Sequence, residues 1–285
     1  MGTSSMDRGQ VKQRPLLPGG YDDDQQEDDQ QENDQPENEQ PEQNEQVDGQ
    51  GDNEPVYPDV TWKEVKTFFT KYITSRPADS GSRQGAMKAL SRKYVRASGG
   101  TRALVAGAKS GIMSGNGLIN FFNSVITTGL EKTLADLQIE YRGKKANELL
   151  SLLVDAISPN SDTKEDIVAR MATQDALANV YEYIERNNMD PDCLNRMSQD
   201  IVDVSMCAYL TSYIEGTMLR DLWNRLEVYE KHPDKAEEIE NDLKGYIKGI
   251  VEVEFEKDKS IFRTNPGKSV KILMTKCLKA IEGLL

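Results

Sequence analysis

The residues from which catalysis is usually built are few in this chain, and their spacing is wrong for it. Gly107-Ala108-Lys109-Ser110 resembles the end of a phosphate-binding loop. That loop needs glycine directly before the lysine and another five residues earlier, so that bare backbone amides can wrap a phosphate. Ala108 and Ala103 hold those positions, which excludes it. The single histidine, His232, precedes Pro233 and reads as a helix-boundary residue rather than a general base. Cys207 and Cys277 fall on apolar stripes and read as core, whereas Cys193 lies near a helix start with no histidine close in sequence. No acid pair stands out from solvated helix faces, and no metal-ligand spacing occurs. The sequence therefore predicts a protein that is not an enzyme and holds no metal or cofactor.

One group does have chemistry to offer. The chain opens Met1-Gly2-Thr3-Ser4, and removal of the initiator beside so small a residue leaves a free glycine amine. Myristoylation does not account for it, because Met6 stands where that motif needs Ser or Thr. Further along, Pro15-Leu16-Leu17-Pro18 favours an extended, polyproline-like segment that presents two leucines. Its pre-set φ angles lower the entropy lost on binding, as in a docking peptide.

These groups precede an acidic arm. The 285 residues carry a formal charge of −13, and residues 21–59 alone hold 16 acids with no Lys or Arg. Residues 1–20 are net +2, which leaves the remaining 226 at +1. Between Asp22 and Glu54 only Val47 is apolar. Such a segment cannot bury enough surface to offset an ordering cost of roughly 1–2 kcal/mol per residue. The expected organisation is an N-terminal docking and acceptor peptide (1–20), a disordered acidic linker (21–58) and a helical body (59–285). Sub-boundaries could fall near 158–162 or 188–192. With no run of 18 apolar residues, no leader pattern and an odd count of three cysteines, the expected location is the cytoplasm.

The body is expected to be all-α, an irregular assembly of about eight to ten helices. Trp62, Val65, Phe69, Tyr72 and Ile73 form one stripe at helical spacing. Leu149, Leu150, Leu153, Val154 and Ile157 form a second; Ile167, Met171, Leu177, Val180, Tyr181 and Ile184 a third. Cys207, Leu210, Ile214, Met218, Leu222 and Leu226 make a fourth. Val270, Leu273, Met274, Cys277, Leu278 and Ile281 make the last. Thr61 with Glu64, and Asp162 with Glu165, have capping-box spacing. Asp190-Pro191 and Asn265-Pro266 look like helix starts. Val251 to Phe255 alternates but has no partner strand, and reads as a helix end or irregular turn.

Residues 80–130 are unlike the rest. They contain no Asp or Glu, nine glycines, and Arg83, Lys88, Arg92, Lys93, Arg96, Arg102 and Lys109. Gly107, Gly111 and Gly115 would share one helix face and let another backbone approach closely. The basic residues Arg92, Lys93, Arg96, Arg102 and Lys109 form a candidate interaction patch. It could meet phosphate backbones, a protein partner, the acidic arm or only solvent. Tyr94 is the one aromatic among them, too few for a base-stacking platform.

Taken together, Met1-Gly2-Thr3-Ser4, the Pro-Leu-Leu-Pro element, the low-complexity linker and Lys93-Tyr94-Val95-Arg96-Ala97-Ser98-Gly99-Gly100 resemble the QatB family of the bacterial Qat anti-phage system. Leu134-Ala135-Asp136-Leu137, Leu149 to Ile157 and Asp162 to Gln174 add to the resemblance. It implies a defence operon that also encodes an ATPase (QatA-like), a QueC-like 7-cyano-7-deazaguanine synthase relative (QatC-like) and a TatD-like nuclease (QatD-like). It implies further that the QueC-like partner attaches a deazaguanine through an amide to Gly2, with Thr3, Ser4, Pro15, Leu16, Leu17 and Pro18 engaging that partner. The rival readings are a nucleic-acid-binding regulator whose acidic arm competes for the basic segment at 83–109, and a structural adaptor for the ATPase and nuclease.

Overall fold

The computed structural model describes residues 60–158, 162–226 and 233–284. The acceptor peptide, the linker and His232 lie outside the described residues, as do Pro159 and the chain up to Asn160 and Ser161.

The described residues form eleven α-helices and one 3-10 helix, with no strand among them. In order these are α1 (Trp62–Thr74), α2 (Ser80–Ala97), α3 (Gly100–Gly107), α4 (Lys109–Thr128), α5 (Leu130–Asp136) and α6 (Ala146–Ile157). Then come α7 (Lys164–Arg186), the 3-10 turn Pro191–Arg196, α8 (Gln199–Leu226), α9 (Pro233–Glu256), α10 (Ile261–Thr264) and α11 (Pro266–Glu282). The all-α reading stands. The helices outnumber the expected eight to ten because breaks at Gly99, Ala108 and Gly129 divide the glycine-rich stretch more finely than its periodicity indicates. Gly99 and Gly129 have φ of 86° and 88°, a region that only glycine enters without strain.

The stripe read for α1 is the buried face in full; in α11, Ser269 and Glu282 are buried together with all six of the apolar residues read there. Burying each such side chain contributes roughly 1.5–3 kcal/mol. Thr61 caps α1 by accepting from the Glu64 amide at 3.3 Å. Asn265 and Pro266 open α11, and Val251 to Phe255 is the C-terminal end of α9. Asp190 and Pro191 open a 3-10 turn rather than an α-helix.

Two expectations are corrected. On α7 the buried face is Val168, Ala169, Ala172, Thr173, Ala176, Leu177, Val180 and Ile184, while Ile167 and Met171 are exposed. The seam is built from small residues because α8 lies close against it. The two helices run antiparallel, pairing Asp175 with Ser212 and Val168 with Gly216. A Cβ on Gly216 would sit 3.1 Å from Val168 Cγ1. The α7 cap is Thr163 with Asp166, one residue later than the expected Asp162 with Glu165.

α4 and α8 occupy the middle. α8 packs on α7, α9, α4 and α1, and α4 packs on α7, α11, α8 and α6. α11 closes the body against α2, α3, α4 and α9. The α1–α2 corner is tied to α9 through Asp242. That carboxylate accepts from Tyr72 at 2.7 Å and Arg76 Nε at 2.6 Å, with Arg83 Nε 3.3 Å away. Burial pushes Asp242 up, but Arg76, Tyr72 and Arg83 outweigh it and hold the carboxyl below the usual aspartate range.

Candidate functional site

An α-helix begins with amide hydrogens that have no partner within the helix, and with the positive end of its dipole. A helix from ordinary sequence answers this with its own Ser, Thr, Asp or Asn. α3, α4 and α5 have no side-chain cap of their own, since residues 80–130 contain no acid and Gly99, Ala108 and Gly129 stand at the caps. Each is capped from far away. Glu282, at the end of α11, accepts from the Thr101 amide at 3.1 Å and the Thr101 hydroxyl at 2.7 Å. Glu165, in the first turn of α7, accepts from the amides of Ser110 at 3.0 Å and Gly111 at 2.7 Å. Asn195, in the 3-10 turn, accepts from the Leu130 amide at 2.7 Å.

The one-residue shift of the α7 cap is what frees Glu165 for this task. Asp166, also held by Thr163, accepts from the Ser110 hydroxyl at 2.6 Å, and this bond first of all lowers its pKa. Glu165 also accepts from Tyr213 at 2.8 Å. Tyr213 stacks on Tyr209 at 6.3 Å, and Tyr209 donates to the Gly111 carbonyl at 2.5 Å. Burial, then the Glu165 charge, raises the pKa of both phenols, so both stay neutral donors. The start of α4, which looked like a phosphate cradle in sequence, is thus filled by the chain's own carboxylate.

The glycine ladder works differently from the expectation. Gly107 ends α3, and a Cβ there would meet nothing within 4 Å. A Cβ on Gly111 would lie 2.2 Å from Tyr213 Cζ, and one on Gly115 2.7 Å from Tyr209 Cε1. What approaches Gly111 and Gly115 is a pair of aromatic rings from α8, joined at Gly115 by Val270 of α11; backbone comes close to α4 only at Gly117, where the Ile157 carbonyl oxygen would lie 3.5 Å from a Cβ. Sequence reasoning placed Leu210 and Ile214 on the α8 seam and missed both tyrosines. A signal was present: a segment with three helix starts and no acid must borrow acceptors from elsewhere.

The basic residues divide by role. Arg83 is spent on Asp242, and its Nη1 donates to the Ala78 carbonyl at 2.5 Å. Arg92 and Arg96 lie along the C-terminal end of α11. Arg96 donates to the Glu282 carbonyl at 3.4 Å, and Arg92 packs so closely on Gly283 that a Cβ there would sit 2.5 Å from its Nη2. Both cations complement the negative end of that helix. Lys93 is half-buried, and Lys88, Arg102 and Lys109 are exposed. Tyr94 is 1% exposed; it donates to Asp221 at 2.8 Å and meets the Trp62 ring edge-on at 5.5 Å. It offers no face to a nucleobase. Gly2, Thr3, Ser4, Pro15, Leu16, Leu17 and Pro18 lie outside the described residues.

Two clefts stand among the described residues, and neither contains a residue of the candidate interaction patch. One, of about 950 Å³, is lined by Lys132, Arg142, Asp190 and Asp192 among others; the other, of about 610 Å³, runs along Met113, Asn116, Asn120 and Ser124 of α4. Burial pushes the thiols of Cys207 and Cys277 up to about 12, against any nucleophilic role. Among the described residues no group of three or more His, Cys, Asp or Glu could hold a metal ion. No described helix is long and apolar enough to cross a membrane.

Comparison with known proteins gives one match. A protein-family model described as QatB, Qat anti-phage system associated protein, matches residues 99–281, more than half of the chain. No curated protein and no solved structure matches.

Proposed function

The chain belongs to the QatB family of the Qat anti-phage system, and from that premise we propose that it serves that system as a non-catalytic partner and N-terminal substrate of a QueC-like enzyme. The Gly2 amine is the acceptor. The QueC-like partner activates a deazaguanine carboxylate with ATP. The neutral Gly2 nitrogen attacks the activated carbon, an amide C–N bond forms, the nucleotide leaving group departs, and the nitrogen's proton passes to a base of the partner.

The observation that supports this most is the make-up of the sequence between Gly2 and the body. The first helix among the described residues starts at Trp62, behind a segment in which residues 21–59 hold 16 acids and no Lys or Arg. A solvated coil of nearly 60 residues reaches roughly 40 Å. That is enough to deliver an amine into another protein's active site while the body stays outside. Glycine, lacking Cβ, obstructs a narrow channel least, and an amine with an ordinary pKa of about 7.7–8.0 needs little help to lose its proton. The basic residues Arg92, Lys93, Arg96, Arg102 and Lys109 have no part in this chemistry.

The test is the intact mass of the protein after co-expression with the QueC-like enzyme. An adduct that maps to Gly2 and is lost in Gly2→Pro, with helical content unchanged, is expected. An adduct that persists on Gly2→Pro overturns the proposal.

A further inference from the structure

Two segments rich in lysine and arginine and nearly free of acids come together in the fold. Within α2, α3 and α11 the only acid is Glu282, which is 6% exposed and committed to Thr101. α11 packs against both α2 and α3. Its last turn is ringed by cations. Arg92 and Arg96 lie against Gly283 and Glu282, Arg102 follows Thr101, which Glu282 holds, and Lys279 belongs to that last turn. Lys268, Lys271 and Lys279 recur at a spacing that puts them on one outer stripe of α11, away from its buried face. Lys88, Lys93, Arg102, Lys268, Lys271 and Lys279 form no ion pair among the described residues.

The same chain carries the complementary charge, and delivers it to this spot. The acidic segment ends at Asp59, three residues before Trp62, a span of at most about 10 Å. The Trp62 ring packs on Tyr94 of α2, one position from Lys93 and in the same two turns as Arg92 and Arg96. The acidic segment therefore joins the body beside the cationic surface, at a high effective concentration that no separate molecule matches unaided.

We propose that the surface formed by α2, α3 and the outer stripe of α11 binds the acidic residues 22–59 of the same molecule. Nucleic acid is the disfavoured occupant. Trp62 and Tyr94 are 4% and 1% exposed and cannot stack on bases, and half-buried Tyr246, which feels the Arg92 charge, is one aromatic where a stacking platform needs several. While the contact is made only residues 1–21 hang free, a coil of roughly 25 Å, so it competes with the full reach of Gly2; the cross-linking test reads the contact whether or not Gly2 is modified.

Zero-length carboxyl–amine cross-linking of the full chain, read by peptide mass spectrometry, tests it. At about 20 mM salt, acids of 22–59 should join Lys88, Lys93, Lys271 and Lys279. The products should vanish at about 1 M salt, where the screening length is only about 3 Å. Yields should not change on dilution, and should survive equimolar duplex DNA. Lys271→Glu with Lys279→Glu, both at the surface, should reduce the cross-links to Lys88 and Lys93 at least about fivefold. Cross-links spread evenly over remote lysines such as Lys132 and Lys144 overturn the proposal. So does a yield that falls with dilution, which assigns the contact to a second copy. Loss of the products on adding DNA also overturns it, in favour of a nucleic-acid site.

Discussion

Glu165 stands at the first turn of α7, yet its carboxylate closes the first turn of α4 by accepting from the Gly111 amide at 2.7 Å. A charged acceptor at a helix N-terminus satisfies orphan amides and opposes the positive end of the dipole together. Here it also locks α4 to α7, and through Tyr213 to α8.

Replacing that acceptor should be costly. Glu165→Ala removes the partner of Ser110, Gly111 and Tyr213 at once, and should lower unfolding free energy by about 2–3 kcal/mol. Glu165→Gln keeps an acceptor oxygen and should cost less than half as much. Urea denaturation of the three proteins measures both. Equal losses would show that hydrogen bonding by Glu165 is unimportant.

The glycines of the same region should respond very differently to one methyl group. Gly111→Ala drives a Cβ to 2.2 Å from the Tyr213 ring, and should destabilise by about 3 kcal/mol or prevent folding. Gly107→Ala meets nothing within 4 Å and should be neutral within about 0.5 kcal/mol. In a double-mutant cycle, Gly111→Ala combined with Tyr213→Ala should cost clearly less than the sum of the single changes.

Acid pH should relieve one internal strain. Burial pushes the Glu215 carboxyl up to about 7; Lys244 opposes the shift, while Glu240 and Asp175 add to it. At pH 4 both folded and unfolded chains hold this proton, so Glu215 costs nothing. Between about pH 4.5 and 7 the folded protein keeps a proton that the unfolded chain has released, so stability falls as pH rises, and stays lower above 7. Glu215→Gln should therefore leave stability unchanged at pH 4 and raise it by about 1–2 kcal/mol at pH 8. Thermal unfolding at the two pH values is the check.

Leu16→Asp with Leu17→Asp should weaken capture of the QueC-like partner at least about tenfold, since two apolar anchors are exchanged for charges. An undiminished pull-down would remove the docking role of Pro15 to Pro18 while leaving Gly2 as a separate question.

Some of the architecture was plain in the sequence and some was hidden, for physical reasons. α1 and α11 are amphipathic with large side chains against the core, so apolar spacing alone reveals Trp62 to Ile73 and Val270 to Ile281. α7 hides its seam because the contact depends on smallness. Ala169, Ala172 and Ala176 admit α8 closely, and a search for large apolar residues selects Ile167 and Met171 instead, which face outward. The cationic surface was half visible. Arg92, Lys93, Arg96 and Arg102 are close in sequence, but Lys271 and Lys279 join them only because α11 folds back over α2 and α3. The remote caps were illegible, because nothing local marks Glu282 as the partner of Thr101.

That last pairing spans 181 positions. A ribosome releases Thr101 long before it releases Glu282, so the opening turn of α3 spends most of translation with water as its only acceptor. Of the three remotely capped helices, α3 is made first and finished last. Arrested or prematurely terminated products should accordingly be prey for proteases, even when they already contain all of the first nine helices.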